Sequence, residues 1–168
     1  GVVHGMAHPL GAIFDIPHGV ANALLLPTIM EFNAPAALPK YVEIAKAMNV
    51  YKEGMTQEEA ATAAVDAVKA LSIKVGIPQR LTDLGIKEED LPRLAASAFT
   101  DVCTPGNPRE VTEEIILDLY KKVPLIITGK EAEIKLIDEF LKKNSTDLFK
   151  ITEYDGSYDS PLIIELGT

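Results

Sequence analysis

Residues 1–27 read GVVHGMAHPLGAIFDIPHGVANALLLP, and the reading of this stretch decides how the rest of the chain is understood. It carries all three histidines of the 168-residue sequence, His4, His8 and His18. Neutral imidazole is the commonest protein ligand for a transition metal, and it also moves protons near neutral pH. His4 and His8 are four residues apart, so on a helix both project from one face, one turn above the other. Residues 2–7 read as the end of a helix, because Pro9 pushes the residue before it out of the α region. Gly11, Asp15 and Pro17 then mark a loop. From His18 onward, Val20, Ala23, Leu24 and Ile29 predict a mostly buried helix that Pro27 kinks or stops.

Outward from this stretch the pattern stays helical. Residues 40–48 form a predicted helix with Tyr41, Ile44, Ala45 and Met48 on one face. Thr56 with Glu59 is a capping-box arrangement opening a long helix. In it Ala60, Ala64, Val65, Val68, Leu71 and Val75 recur at helical spacing until Gly76 and Pro78. Residues 89–99 read as a shorter helix and 104–108 as a turn. Thr112 caps a last helix carrying Ile115, Ile116, Leu119 and Tyr120. After about Val123 the style changes. Residues 125–128 are strand-like, 130–143 an amphipathic helix, and 148–154 and 162–166 strands joined around Asp155-Gly156. The expected architecture is mainly α: a helical body over 1–123 and a small β-α-β-β tail over 124–168.

Composition narrows the function. The net charge of −9, with a pI near 4.8 and no Lys/Arg stripe, argues against nucleic acid and anionic membrane surfaces as partners. No apolar stretch is long enough to span a bilayer. A single cysteine, Cys103, excludes an internal disulfide and fits a reducing cytoplasm. The first residue is Gly1 rather than methionine, and no basic-plus-apolar leader precedes the histidines. The start therefore reads as a cut through a longer protein.

The run HGMAH…PHG within residues 1–27, with DVCTPGNPREVT at 101–112 and YKK at 120–122, resembles the helical domain of iron-containing alcohol dehydrogenases. The similarity is closest to the branch of lactaldehyde (1,2-propanediol) reductases and covers residues 1–123. Residues 124–168 resemble no family. The resemblance implies a dehydroquinate synthase-like helical C-terminal domain that closes the active-site cleft. It also implies an amino-terminal nucleotide-binding domain that supplies most of the NAD site. Iron would sit between the two, held by an aspartate and a histidine from upstream sequence and by His4 and His18. His8 matches a histidine of the cleft thought to help in proton transfer, and Cys103 matches a residue lining the pocket for a short aldehyde or diol. Spacing alone pairs His4 with His8; the resemblance pairs His4 with His18 and is followed, because Pro9 breaks the helix at His8.

The residue types suit the chemistry. Hydride transfer to an aldehyde puts negative charge on the carbonyl oxygen, which a divalent cation stabilises as a Lewis acid. Three imidazoles and a carboxylate do not select iron strongly, so zinc is the alternative occupant. Two histidines alone hold a metal weakly, and neither a G-x-G-x-x-G loop nor the upstream ligands occur in the 168 residues. The chain is therefore not expected to reduce aldehydes unaided. Asn107, Pro108 and Arg109 are expected to fix the turn and form an ion pair. Two rival readings stand beside this one: a glycerol dehydrogenase-like enzyme sharing the architecture, and a non-catalytic helical scaffold whose β tail pairs at its edge to give a homodimer.

Overall fold

The computed structural model describes residues 1–123 together with the strands β1 (Phe149–Glu153) and β2 (Ile163–Leu166). The fold is mainly α. Among the described residues six α-helices follow one another: α1 (Val2–Phe14), α2 (His18–Asn33), α3 (Leu38–Ala47), α4 (Gln57–Lys74), α5 (Leu91–Phe99) and α6 (Glu113–Lys122). The chain divides into two compact units, Gly1–Ile126 and Ile127–Thr168. Within the second, β1 and β2 pair antiparallel, Ile151 opposite Ile164, with a register shift between Ile151 and Glu153. The strand expected at 125–128 and the helix expected at 130–143 lie outside the described residues.

Two prolines break fewer helices than the sequence suggests. α1 does not end at residue 7 but runs through Pro9 to Phe14, and α2 runs through Pro27 to Asn33. An internal proline removes a hydrogen bond and crowds the preceding turn, at a cost of about 3 kcal/mol or more. Burial of one large aliphatic side chain contributes about 1.5–3 kcal/mol. α1 buries Val2, Met6 and Leu10 on a single stripe with Pro9, and α2 buries Leu24, Leu25, Ile29 and Met30 on both sides of Pro27. Packing outweighs the breakers in both. The Tyr120 hydroxyl also donates to the Met6 carbonyl at 2.6 Å, next to the Gly5 carbonyl whose helical partner Pro9 removes.

The caps are as expected. Thr56 accepts from the Glu59 N–H and the Glu59 side chain accepts from the Thr56 N–H, while Thr112 accepts from the Ile115 N–H. The buried face of α4 differs: it is made of Ala60, Ala61, Ala64 and Ala67, whereas Leu71 and Val75 are 49% and 62% exposed. Small side chains let α4 lie close against α2 and α3.

Two cores result. One gathers α1, α2, α5 and α6 around Met6, Leu10, Leu25, Leu94, Ile116 and Tyr120. The other joins α3 and α4 to the end of α2 around Tyr41, Ala45, Ala60 and Ala64. Within the second core, Tyr41 ties α3 to α2 by donating to the Met30 carbonyl at 2.7 Å.

Candidate active site

The stripe that α1 buries leaves His4 and His8 on its other side, one turn apart. His4 is exposed and His8 half-buried. α1 then stops abruptly. Asp15 takes a left-handed conformation (φ 55°) and its N–H bonds the Gly11 carbonyl at 3.0 Å, an αL cap in which aspartate stands in for glycine. Ile16 plugs the core, Pro17 sets the entry, and His18 is the first residue of α2. This tight corner folds the His18 ring back onto the two histidines of α1. Its centroid lies 5.4 Å from that of His4 and 5.4 Å from that of His8, while His4 and His8 are 6.2 Å apart. His8 is thus helical after all, yet His4 stands nearer His18 than its own helical neighbour.

The corner between α5 and the following turn supplies the remaining groups. α1 reaches it because residue 5 is glycine: a Cβ there would overlap Thr104 Oγ1 and crowd the Ala98 carbonyl. Thr104 is buried and donates to that carbonyl at 2.6 Å. Asp101 Oδ2 pairs with His8 Nδ1 at 2.7 Å, and Asp101 Oδ1 accepts from the Cys103 N–H at 2.8 Å. Burial alone would raise the Asp101 carboxyl, but the Cys103 N–H and the His8 ring outweigh it and hold it below the usual carboxylate range. The Cys103 thiol is half-buried on the same corner. On α2, the Asn22 amide lies 3.0 Å from His18 Nε2 and donates to the His18 carbonyl at 2.9 Å.

The residues present fit half of a divalent metal shell. With metal–nitrogen bonds of about 2.0–2.1 Å and a tetrahedral spread, two imidazoles on one ion have centroids about 5 Å apart. The His4–His18 spacing of 5.4 Å matches that figure. His8 stands at the same distance from His18, so spacing alone does not choose between the pairs; His8 Nδ1 faces Asp101 and His18 Nε2 faces the Asn22 amide.

Asp101 was not singled out from sequence. Its partner lies 93 positions away, and an aspartate inside a turn motif carries no local sign of such a contact. Asn107 does fix the turn: its amide pairs reciprocally with Asn33, at 3.0 and 2.8 Å, and accepts from the Val2 N–H. The ion pair expected of Arg109 is not found among the described residues. Its guanidinium donates to the Phe32 carbonyl and stacks 4.2 Å from the Phe32 ring, so it serves the exposed end of α2 instead.

Residues 1–123 match the C-terminal region of the Fe-containing alcohol dehydrogenase family, and the chain belongs to that family. It is 58% identical over 120 residues to lactaldehyde reductase of Escherichia coli K12, covering 71% of this chain and 31% of that protein. It is 43% identical over 122 residues to 1,3-propanediol dehydrogenase of Citrobacter freundii, covering 73% and 32%. A crystal structure of a 1,3-propanediol oxidoreductase superposes with a TM-score of 0.72 at 42% identity, over 74% of this chain and 32% of that one. The chain thus spans about a third of the length of the relatives it matches. The relatives are oxidoreductases, and the reading as a non-catalytic scaffold is not favoured. Among the described residues no helix is long and apolar enough to cross a membrane.

Proposed function

We propose that residues 1–123 are the helical, metal-binding part of an iron-dependent, NAD-linked alcohol dehydrogenase that interconverts lactaldehyde and 1,2-propanediol. The observation that carries this reading is the meeting of the His4 and His18 rings, 5.4 Å apart, across the α1–α2 corner. Identity of 58% over 120 residues with a lactaldehyde reductase supports the substrate class. His4 and His18 would hold the ion; further ligands and most of the NAD site would come from a nucleotide-binding domain. Residues 124–168 would be a separate small α/β tail, and the single thiol and acidic balance suit the cytoplasm.

When bound, the cation polarises the carbonyl oxygen that receives charge as hydride arrives. The proton belongs to His8. Asp101 holds the hydrogen on Nδ1 and so leaves Nε2 to take a proton from the alcohol during oxidation, or to return it during reduction. The Cys103 thiol, on the same corner, offers a small soft wall against a short aldehyde or diol.

The test is a chimera in which residues 1–123 replace the matching region of the E. coli lactaldehyde reductase. NADH-dependent reduction of lactaldehyde is expected, lost on His4→Ala or His18→Ala together with bound iron. A folded, iron-loaded chimera that does not reduce lactaldehyde would contradict the reading.

A further inference from the structure

We propose a second cation site, for a thiophilic divalent ion such as zinc, formed by His8, Asp101 and Cys103 beside the His4–His18 pair. The three side chains come from α1 and from the turn after α5. One donor of each, an imidazole nitrogen, a carboxylate oxygen and a thiol sulfur, lies within 4.8 Å of the other two. Among the described residues this is the one group of histidine, cysteine and acidic side chains so arranged. Three mixed N, O and S donors with the fourth position open to solvent are a shell that zinc adopts tetrahedrally, at about 2.0–2.3 Å per bond. Neighbouring donors in such a shell stand roughly 3.5 Å apart. Nδ1 and Oδ2 are 2.7 Å apart across their shared hydrogen, so they need part by less than an ångström or so, a side-chain rotation. His8, whose side chain is 40% exposed, can take up that movement while Asp101, 16% exposed, stays held by the Cys103 N–H.

The donor set also selects the ion. A thiolate favours zinc over magnesium or calcium, and zinc stands above ferrous ion in the divalent affinity series. The asymmetry between neighbouring sites follows: the His4–His18 pair has no sulfur, whereas the second site does. Protons balance simply. Cys103 releases its thiol proton to solvent as sulfur coordinates. His8 loses its Nδ1 hydrogen to solvent, freeing that lone pair for the ion, and takes one from solvent at Nε2, so the ring stays neutral and about one proton, that of the thiol, leaves per ion bound. The consequence rests on the proposed role of His8. With hydrogen on Nε2 that atom no longer accepts a proton from an alcohol, so an ion here inhibits while the His4–His18 position stays occupied.

Cobalt(II) is the probe, because a sulfur–cobalt bond gives a near-ultraviolet charge-transfer band that imidazole ligation does not. Cobalt titrated into the reduced 168-residue chain is expected to raise that band, with zinc abolishing it by competition. Cys103→Ser is expected to lose the band, and His8→Ala and Asp101→Asn to weaken it strongly. His4→Ala and His18→Ala are expected to leave it in place. The near-isosteric Cys103→Ser and Asp101→Asn keep the comparison within folded chains, checked by helical circular dichroism. Absence of the band from the folded chain overturns the proposal, as does its persistence in both His8→Ala and Asp101→Asn. Loss of the band in His4→Ala or His18→Ala overturns the claim of a distinct site. Metal binding by His4 and His18 is read separately, in a chain carrying both Asp101→Asn and Cys103→Ser, so the failure of this proposal and the failure of that reading are distinguishable.

Discussion

Gly5 is the position where a single methyl group would do most damage. Its place on α1 faces Thr104 Oγ1 and the Ala98 carbonyl without a gap, and overpacking of this kind costs about 1–3 kcal/mol. Gly5→Ala is therefore expected to lower the unfolding free energy by that amount, read in chemical denaturation. Adding Thr104→Ala should cost less than the sum of the single changes, because the overlap is then relieved; strict additivity in chemical denaturation would contradict the packing described. Asp101 makes a second prediction. Its carboxyl is held below its ordinary value of 3.8, so the stability it contributes is present above that pH and is lost as pH falls through the lower, folded value. Asp101→Asn should flatten the acid limb of the stability profile below about pH 4. At this scale a long, specific run drew attention to His4 and His18, whose rings meet, whereas nothing marked Asp101. Its meaning depends on His8, 93 positions away.

The helices were legible by their ends more than by their interiors. Thr56, Glu59 and Thr112 satisfy amide groups within their own first turns, so local sequence suffices to place them. Thr56→Ala is expected to cost about 1 kcal/mol, seen as a shift in thermal midpoint. Pro9, and Pro27 as a stop, misled for the opposite reason. Their cost is local but its compensation is tertiary, in the stripes that α1 and α2 bury. Tyr120→Phe leaves the Met6 carbonyl without its hydroxyl donor and should destabilise by about 1–2 kcal/mol. Burial also pushes the Tyr120 phenol well above its ordinary value of 10.0. Its contribution is thus complete below pH 10 and lost above it, where the unfolded phenol ionises. The wild-type chain should lose stability above about pH 10 more steeply than Tyr120→Phe in an alkaline denaturation series.

For the molecule as a whole, a mainly α body could be read from periodicity and caps, and its family from the histidine run. The corner that unites the rings could not. It depends on a left-handed Asp15, a buried Ile16 and a helix start at His18 acting together, and none of these fixes a direction in space alone. The central claim is that this corner makes His4 and His18 a shared metal grip. Its most direct measurement is anaerobic titration of ferrous ion into the 168-residue chain carrying both Asp101→Asn and Cys103→Ser, followed by calorimetry. Weak binding of one ion is expected, abolished by His4→Ala and equally by His18→Ala; binding of undiminished strength in both variants would contradict the account.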